Sequence, residues 1–338
     1  MARYGEQFRV TEAALIEAAA YNMWTVDLHN LSRSVLHPGP LAVSPQLLGV
    51  AASLAAAIQH ELNLRPALRA LALHVSVDDK NPDAPAIRFR GQRLNDSRWA
   101  CRLLANTIMS LDETGMRPDC QEALLAQSLG ERGGIVVFSG LPGTGKTSSA
   151  AAMIKARAGE YGGYALTVED PPELPLQGIV VGKRRGYVEQ LDATDDGYAL
   201  TLVEGLRCFP AGCSESLLMI GEIRRAEDAA EAVRAGLDGH LVVTTIHAGA
   251  HHQAVQRLVA LAREGGEPQA AGIVADCLRV VVHQRIKGNR RGISHFNVDQ
   301  EEAALIRDEQ FERLIHSVAR SQAAASAHTA RMHGGFNR

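Results

Sequence analysis

The stretch Ile135-Val-Val-Phe-Ser-Gly140-Leu-Pro-Gly-Thr-Gly145-Lys146-Thr147 decides the fold of this chain. Its first four residues form a continuous apolar run, which is typical of a strand buried on both faces of a parallel sheet. The following residues match G-x-x-x-x-G-K-[ST], and a helix is predicted over residues 147–158 with Gly159 as its stop. A strand, a glycine-rich loop and a helix in this order predict a phosphate-binding loop.

Phosphate oxygens are held by backbone N–H groups that converge on one point, which a glycine-rich loop allows, and by the positive end of the helix dipole. Lys146 would reach the β- and γ-phosphates of a nucleotide, and the Thr147 hydroxyl would bind Mg²⁺. The candidate nucleotide-binding residues in this loop are Gly140, Leu141, Pro142, Gly143, Thr144, Gly145, Lys146, Thr147 and Ser148.

Two more apolar runs, Ser216–Ile220 and residues 241–246, are predicted to be strands of the same sheet. Helices are predicted between the runs, over residues 198–208 and Ala226–Leu237. Strands that alternate with helices predict an α/β domain with a parallel sheet.

Acidic residues follow two of the predicted strands. Glu222 lies just beyond Ser216–Ile220, at the edge where ligands of α/β folds bind, and could orient an attacking water. Gly221 stands where an aspartate that holds magnesium is usual, and a solvated strand-end charge is the alternative for Glu222. The segment Thr167-Val-Glu169-Asp170-Pro-Pro-Glu173 also ends a strand, and its carboxylates could hold Mg²⁺ through water.

Histidines bracket the third run, with His240 before it and His247 after it. From spacing alone, packed or exposed histidines and functional ones both remain open. His251 and His252 follow His247, but no H-E-x-x-H motif accompanies them, so zinc binding is not predicted.

The first part of the chain lacks this alternation. Helices are predicted over residues 11–21 and 45–62, and a hairpin over residues 70–77 and 86–90. This pattern predicts a small α+β domain, followed by a polar seam at residues 110–118. An Ala/Ser-rich tail begins at Ser321.

Composition excludes several classes of protein. The 338 residues carry 35 Lys and Arg against 38 Asp and Glu, a net charge of −3 that provides no strong field toward nucleic acid or anionic lipid. Five cysteines without a C-x-x-C pair form neither a zinc ribbon nor a complete disulfide framework. The start of the chain has no apolar signal core, and the aliphatic run at residues 47–58 is too short to cross a bilayer. We therefore expect no export and no transmembrane segment.

Four segments resemble, in order and spacing, the Walker A, Asp box, atypical Walker B and His box motifs of the secretion and pilus ATPase superfamily. They are GLPGTGKT, TVEDPPE, LLMIGEIR and GHLVVTTIH. Residues 110–116 and 276–285 resemble its interdomain segment and its C-terminal helix and strand. The resemblance covers about residues 86–290 and implies an N-terminal PAS-like α+β domain (1–108) and a RecA-like P-loop ATPase domain (109–320), with residues 321–338 as a flexible tail.

The resemblance implies a homo-hexamer that hydrolyses ATP with Mg²⁺ between the two domains. The implied catalytic residues are Glu222, Glu169, Lys146 and Arg207, with His240 and His247 near the nucleotide and Thr147, Glu169 and Asp170 near the metal. Arg88, Arg90 and Arg102 are candidates for arginine fingers, which act on the γ-phosphate; placed on a hairpin and a helix, they could also be solvated charges. Val203 and residues 211–214 depart from the family pattern.

The absent tetracysteine motif favours PilT-like members of the superfamily, and we expect the type found in type IVB secretion and conjugation, with DotB and TraJ as examples. The implied function is a cytoplasmic motor at the inner membrane, working on a secretion or pilus complex. A RecA-like nucleic-acid translocase, or a nucleotide-dependent assembly scaffold with weak hydrolysis, are the alternatives. No direct contact with nucleic acid is expected.

Overall fold

Two sheets, each in its own unit of the chain, organise the fold. The computed structural model describes residues 10–78, 80–81, 84–213, 215–288, 290–320 and 323. The first unit holds the described residues up to Thr107, together with Asp170–Pro175 and Asp192–Asp195. The second unit holds Ile108–Glu169, Leu176–Leu191 and the described residues from Asp196 onward. The predicted tail, residues 321–338, lies outside the described residues except for Ala323.

The first unit is an antiparallel sheet with strand order β3-β2-β1-β6-β5-β4, packed with two helices. Its strands are β1 (Met23–Asp27), β2 (Val35–His37), β3 (Leu41–Ala42), β4 (Ala70–Ser76), β5 (Ala86–Arg93) and β6 (Arg98–Leu104). Its helices are α1 (Glu12–Ala18) and α2 (Leu48–Leu64).

The core of the first unit combines aromatic side chains from the sheet with one face of α2. Trp24 and Phe89 meet edge to face with ring centroids 5.9 Å apart, and Trp99 is fully buried beside them in the same apolar cluster. On α2, Val50 and Leu54 are four residues apart and therefore lie on one helix face, which is buried in this core. Burial of this apolar surface stabilises the unit.

The segment Pro45–Leu64, which includes α2, is long and apolar enough to cross a membrane when judged by length and composition. Its window has a mean hydropathy of 1.2 and is 44% buried inside the structure. A buried core helix passes the same test, and the α2 side chains named above are in the core. The apolar run at residues 47–58 is thus part of a longer helical segment than the sequence predicted.

The predicted hairpin is confirmed as β4 and β5, which pair antiparallel from Ala70 to Ser76. The prediction was wrong in placing Arg102 on a helix, because this residue lies on β6 and faces Arg90 across the sheet. It also missed β1, β2 and β3. These strands have five, three and two residues and are too short to show a clear alternation of apolar and polar side chains.

The second unit is an eight-stranded sheet with order β14-β13-β7-β12-β11-β8-β10-β9. Its strands are β7 (Gly134–Gly140), β8 (Gly163–Glu169), β9 (Gly178–Val181), β10 (Arg185–Asp192), β11 (Ser216–Ile220), β12 (Leu241–His247), β13 (Leu278–Lys287) and β14 (Arg290–Asn297). Its helices are α3 (Pro118–Leu125), α4 (Gln127–Arg132), α5 (Lys146–Tyr161), α6 (Tyr198–Leu206), α7 (Ala226–Leu237), α8 (His251–Glu264), α9 (Ala270–Cys277) and α10 (Gln300–Arg307).

The five central strands, β13, β7, β12, β11 and β8, run parallel, as the alternation of strands and helices predicted. Their carboxyl ends therefore meet at one edge of the sheet. In register, Gly140 at the end of β7 lies opposite His247 at the end of β12, and Ile220 of β11 lies opposite Val168 of β8. The loops that follow these strands share this edge.

Two features of the second unit differ from the prediction. Gly159 does not stop α5, which continues to Tyr161 and ends at Gly162, where φ is +75°. A Cβ on Gly182 would overlap the Gly159 carbonyl oxygen, so these two glycines mark a close approach of backbones. The antiparallel pair β9 and β10, which lies between the acidic segment and α6, was not predicted.

Candidate functional site

The glycine-rich loop connects β7 to α5 at the carboxyl edge of the sheet. A Cβ on Gly140 would overlap the carbonyl oxygen of Gln284 on β13, so only glycine fits there. Gly145 has φ +89° and is the N-cap of α5, a left-handed conformation that glycine adopts without strain. The Thr144 hydroxyl donates to the Leu141 carbonyl oxygen at 2.8 Å. The backbone of the loop therefore lies next to the first turn of α5, which carries Thr147 and Ser148.

Lys146, the first residue of α5, is buried inside this loop. Its Nζ donates to the Leu141 carbonyl oxygen at 3.1 Å and lies 3.1 Å from His247 Nδ1. Burial lowers the pKa of the Lys146 ammonium, and the Glu222 carboxylate opposes this shift. The lysine is therefore held at the carboxyl edge by the groups that end β7 and β12.

Glu222 lies just after β11 and is paired on both of its oxygens. Its Oε1 is 2.7 Å from His247 Nε2, and its Oε2 is 2.6 Å from Arg224 Nη2. An ammonium can only donate, so His247 Nδ1 accepts from Lys146, while its Nε2 lies against the Glu222 carboxylate. His247 thus connects the lysine of the loop to Glu222.

The turn that carries Glu222 is fixed by β12. The Thr245 hydroxyl donates to the Gly221 carbonyl oxygen at 2.7 Å, and the Ile223 N–H donates to the Thr245 carbonyl oxygen at 3.0 Å. Both bonds are buried at the sheet edge, so the backbone around Glu222 has little freedom.

Glu169, the last residue of β8, is buried at the next strand end. Gln190 Nε2 donates to its Oε1 at 2.7 Å, and the Thr167 hydroxyl donates to the same oxygen at 3.2 Å. A Cβ on Gly221 would lie 3.3 Å from Glu169 Cγ and 3.2 Å from the Tyr198 hydroxyl. Because Gly221 has no side chain, it leaves space for the side chain of Glu169.

Oxygen ligands for a magnesium ion are available at this edge. The Thr147 hydroxyl stands in the first turn of α5, and the Glu169 carboxylate ends β8. Hydroxyl and carboxylate oxygens are the ligands that Mg²⁺ prefers, with water and phosphate completing its shell. Asp170 directly follows Glu169 but belongs to the first unit. The described residues contain no cluster of three or more His, Cys, Asp or Glu side chains arranged to hold a metal by themselves.

His240 and Arg207 are not brought to this edge. His240 precedes β12, and a strand of seven residues puts it roughly 20 Å from His247. Its Nδ1 lies 2.5 Å from the Ser216 hydroxyl, and its ring packs against Phe209 with centroids 4.9 Å apart. Arg207 is exposed just after α6, two residues before Phe209. Residues before and after one strand lie at opposite edges, so His240 does not meet the loop of its own chain, and the roles of His240 and Arg207 stay predictions.

The first unit contains a cluster of three arginines around Glu173. Arg90 and Arg102 are cross-strand neighbours on β5 and β6, and both donate to Glu173 Oε1, at 2.7 and 2.5 Å. Arg88 donates to the Glu173 carbonyl oxygen at 3.0 Å. Like charges opposite each other on a sheet repel, and Glu173 compensates that repulsion. The three arginines are thus gathered on one residue of the same unit.

Several side chains that contact the site were not predicted from the sequence. Arg224 is two residues beyond Glu222 in the same segment, and that spacing was the available signal for it. Gln190 and Thr245 carry no such signal, because they reach the site through sheet pairing and are distant in sequence from the residues they contact.

Comparison with protein families matches residues 87–333 to the family described as "Type II/IV secretion system protein". The chain belongs to this family. Its recognition as a relative of the secretion and pilus ATPases is thereby confirmed.

Among curated members of the type II/IV secretion family, the type IV pilus ATPase PilU of Pseudomonas aeruginosa is 33% identical over 181 residues, 52% of this chain and 44% of that protein. The type II secretion system protein HxcR of the same organism is 35% identical over 193 residues, 57% of this chain and 37% of that protein. The chain therefore spans less than half the length of these relatives.

Solved structures share the fold. The pilus retraction motor PilT with bound ADP aligns with a TM-score of 0.69 and 17% identity, covering 93% of this chain and 92% of that one. The Legionella pneumophila ATPase DotB aligns with a TM-score of 0.66 and 18% identity, covering 93% and 90%. The common architecture is a mixed α/β fold with two sheets.

Proposed function

We propose that this member of the type II/IV secretion family is an ATPase that hydrolyses ATP to ADP and phosphate. One observation carries the proposal: Lys146, His247 and Glu222 meet at a glycine-rich loop that ends in the N-terminus of α5. A buried ammonium beside backbone N–H groups binds phosphate, and a carboxylate next to it can orient water.

The contacts of Lys146 indicate how a nucleotide would enter. Its Nζ is engaged by a neutral carbonyl oxygen and by an imidazole nitrogen. Phosphate oxygens carry negative charge and form stronger hydrogen bonds with an ammonium than either group does. The β- and γ-phosphates would therefore displace Leu141 and His247 from the lysine.

Glu222 acts as the general base in this proposal. Its carboxylate holds the attacking water in line with the γ-phosphate and accepts a proton from it. His247 and Arg224, which pair with its two oxygens, fix its orientation. Mg²⁺, held by Thr147 and through water by Glu169 and Asp170, would neutralise charge on the β- and γ-phosphates.

The arginine cluster of the first unit supplies further cations in this proposal. Phosphoryl transfer is accelerated by a cation that reaches the γ-phosphate from outside the loop. Arg88, Arg90 and Arg102 are the candidates, and Glu173 holds them together.

The wider role follows from the family. PilU is named a type IV pilus ATPase, and PilT a pilus retraction motor. We infer that this chain has a PAS-like N-terminal domain and a RecA-like ATPase domain and works as a homo-hexamer. It would act in the cytoplasm at the inner membrane, where it drives a type IV secretion, conjugation or pilus complex.

The test is ATP turnover of the purified full chain with Mg²⁺. Glu222→Gln keeps the size of the side chain but removes the base, and we expect kcat to fall by about a hundredfold or more. Lys146→Ala removes the phosphate ligand, and we expect loss of ATP binding. Glu227→Gln is the matched control, because Glu227 is exposed in the first turn of α7 and is five residues from Glu222.

Unchanged turnover in either Glu222→Gln or Lys146→Ala would refute the mechanism. Tight ATP binding without turnover in the wild type would favour the assembly scaffold over the motor. Turnover that rises with added DNA or RNA and is suppressed by salt would favour a nucleic-acid translocase.

A further inference from the structure

The guanidinium of Arg291 packs against the last glycine of the phosphate loop. Arg291 is the second residue of β14 and pairs with Ile286 of β13. A Cβ on Gly145 would lie 3.0 Å from Arg291 Nη2 and 3.1 Å from its Cζ, so the guanidinium lies directly beside the Gly145 backbone. This places a third positive group, besides Lys146 and the helix N-terminus, at the loop.

No carboxylate of the described residues neutralises this arginine. Among the described residues it forms no ion pair, and the acceptor of its hydrogen bond is the Thr114 carbonyl oxygen at 3.3 Å. The side chain is exposed and has five N–H donors, most of which remain available.

The position is electrostatically unfavourable without an anion. The N-terminus of a helix carries partial positive charge, and a cation near it destabilises the helix. Gly145 is the N-cap of α5, a helix of 16 residues, and Lys146 is its first residue. A negative group between this arginine and the loop would interact favourably with both.

We propose that Arg291 binds the α-phosphate of the nucleotide. The proposal rests on the proposed ATPase function and adds a residue to its site. Under the proposed function Lys146 and the loop bind the β- and γ-phosphates, so Arg291, which lies beside Gly145, is left to contact the α-phosphate. A guanidinium binds phosphate oxygens with two parallel hydrogen bonds and is suited to this contact.

Because ADP and ATP both carry an α-phosphate, the test compares the binding of the two nucleotides. Dissociation constants of fluorescent ADP and ATP analogues are measured by titration on the full chain. We expect Arg291→Ala to raise both constants by about tenfold and by equal factors. Arg291→Lys keeps the charge but not the paired donors, and we expect an intermediate loss.

Lys287→Ala is the matched control, because it removes one exposed positive charge from β13 of the same hairpin. We expect it to leave both constants unchanged. Melting temperatures without nucleotide show whether Arg291→Ala is folded, and the increase on adding ADP gives a second reading of binding.

Three results would overturn the assignment: equal binding by Arg291→Ala and wild type, an equal loss in Lys287→Ala, or a loss for ATP that exceeds the loss for ADP. The last result would mean that Arg291 contacts the γ-phosphate. If the wild type bound neither nucleotide, the proposed ATPase function itself would fail, which the wild-type titration shows before any variant is compared.

Discussion

Removal of either partner of the buried Arg157–Glu215 ion pair should destabilise the second unit strongly. Arg157 on α5 is fully buried, and Glu215, just before β11, is 4% exposed. Arg157 donates to Glu215 Oε1 through Nε at 2.9 Å and through Nη2. Its Nη1 donates to the carbonyl oxygens of Leu124 and Ala126, at 2.8 and 3.1 Å. The guanidinium therefore ties α3 and α4 to α5 and the sheet.

The size of the destabilisation depends on which buried groups each substitution leaves without a partner. Glu215→Gln leaves a buried guanidinium without its counter-charge, which costs about 3–5 kcal/mol in comparable pairs. Arg157→Met also leaves the two carbonyl oxygens without a donor, which adds about 1 kcal/mol for each lost hydrogen bond. We therefore expect Arg157→Met to be the more destabilising change. Arg157→Met combined with Glu215→Leu removes both charges, and we expect it to recover part of the loss.

The two single variants should differ in how their stability depends on pH. Burial raises the pKa of Glu215, and Arg157 opposes that rise. In Arg157→Met the opposition is lost, so the carboxyl group holds its proton to higher pH in the folded state than in the unfolded state. The folded state then binds more protons, and stability falls as pH rises above the unfolded pKa of a glutamate. Glu215→Gln has no titrating group here and lacks this slope.

The assay is urea unfolding of the full chain, followed by circular dichroism at pH 5.5 and 8. Glu160→Gln is the control, because the Lys183–Glu160 pair has a short distance of 2.6 Å but a lysine side chain that is 75% exposed. We expect that control to leave the unfolding midpoint unchanged. The reasoning is refuted if both buried variants lose less than about 1 kcal/mol, the range of exposed pairs.

Two further predictions concern neighbouring groups of the second unit. Thr245→Val removes the donor to the Gly221 carbonyl oxygen and should lower the free energy of unfolding in urea by about 1–2 kcal/mol. Thr244→Val should be neutral or stabilising, because the buried Thr244 hydroxyl has no hydrogen-bond partner among the described residues. Equal losses of stability in the two variants would contradict this. Burial, with a contribution from His283, lowers the pKa of His251 to about 4. Below pH 6.5 the unfolded state therefore binds more protons than the folded state, and the stability of the fold decreases as the pH is lowered. His251→Gln should remove about 1–2 kcal/mol of that loss between pH 6.5 and 5, and the exposed control His74→Gln should not. Parallel pH profiles of the two variants would disprove it.

The sequence predicted the centre of the second unit well because its signals are local. Apolar runs without alternation mark buried parallel strands, and both β11 and α7 have the predicted bounds. The sequence placed Glu222 at the edge where ligands of α/β folds bind, whereas His247, which contacts Lys146 and Glu222 in the structure, was left open between a packed and a functional role.

The sequence could not show what depends on strand order. His240 and His247 bracket one strand, and only the direction of β12 shows that they lie at opposite edges. Arg291 is 146 positions after Gly145, and the hairpin of β13 and β14 brings it back to the loop. The arginine cluster likewise needs the register of β5 and β6, which no local pattern encodes.

The position of β7 has a consequence for how the chain is made. This strand lies between β12 and β13, so its partners are synthesised about a hundred residues and more after it. Until they emerge from the ribosome, the apolar run at residues 135–138 has both backbone edges open. Unpaired apolar strands of this kind aggregate or recruit chaperones. The segment that holds the phosphate loop is thus a point of vulnerability in the nascent polypeptide.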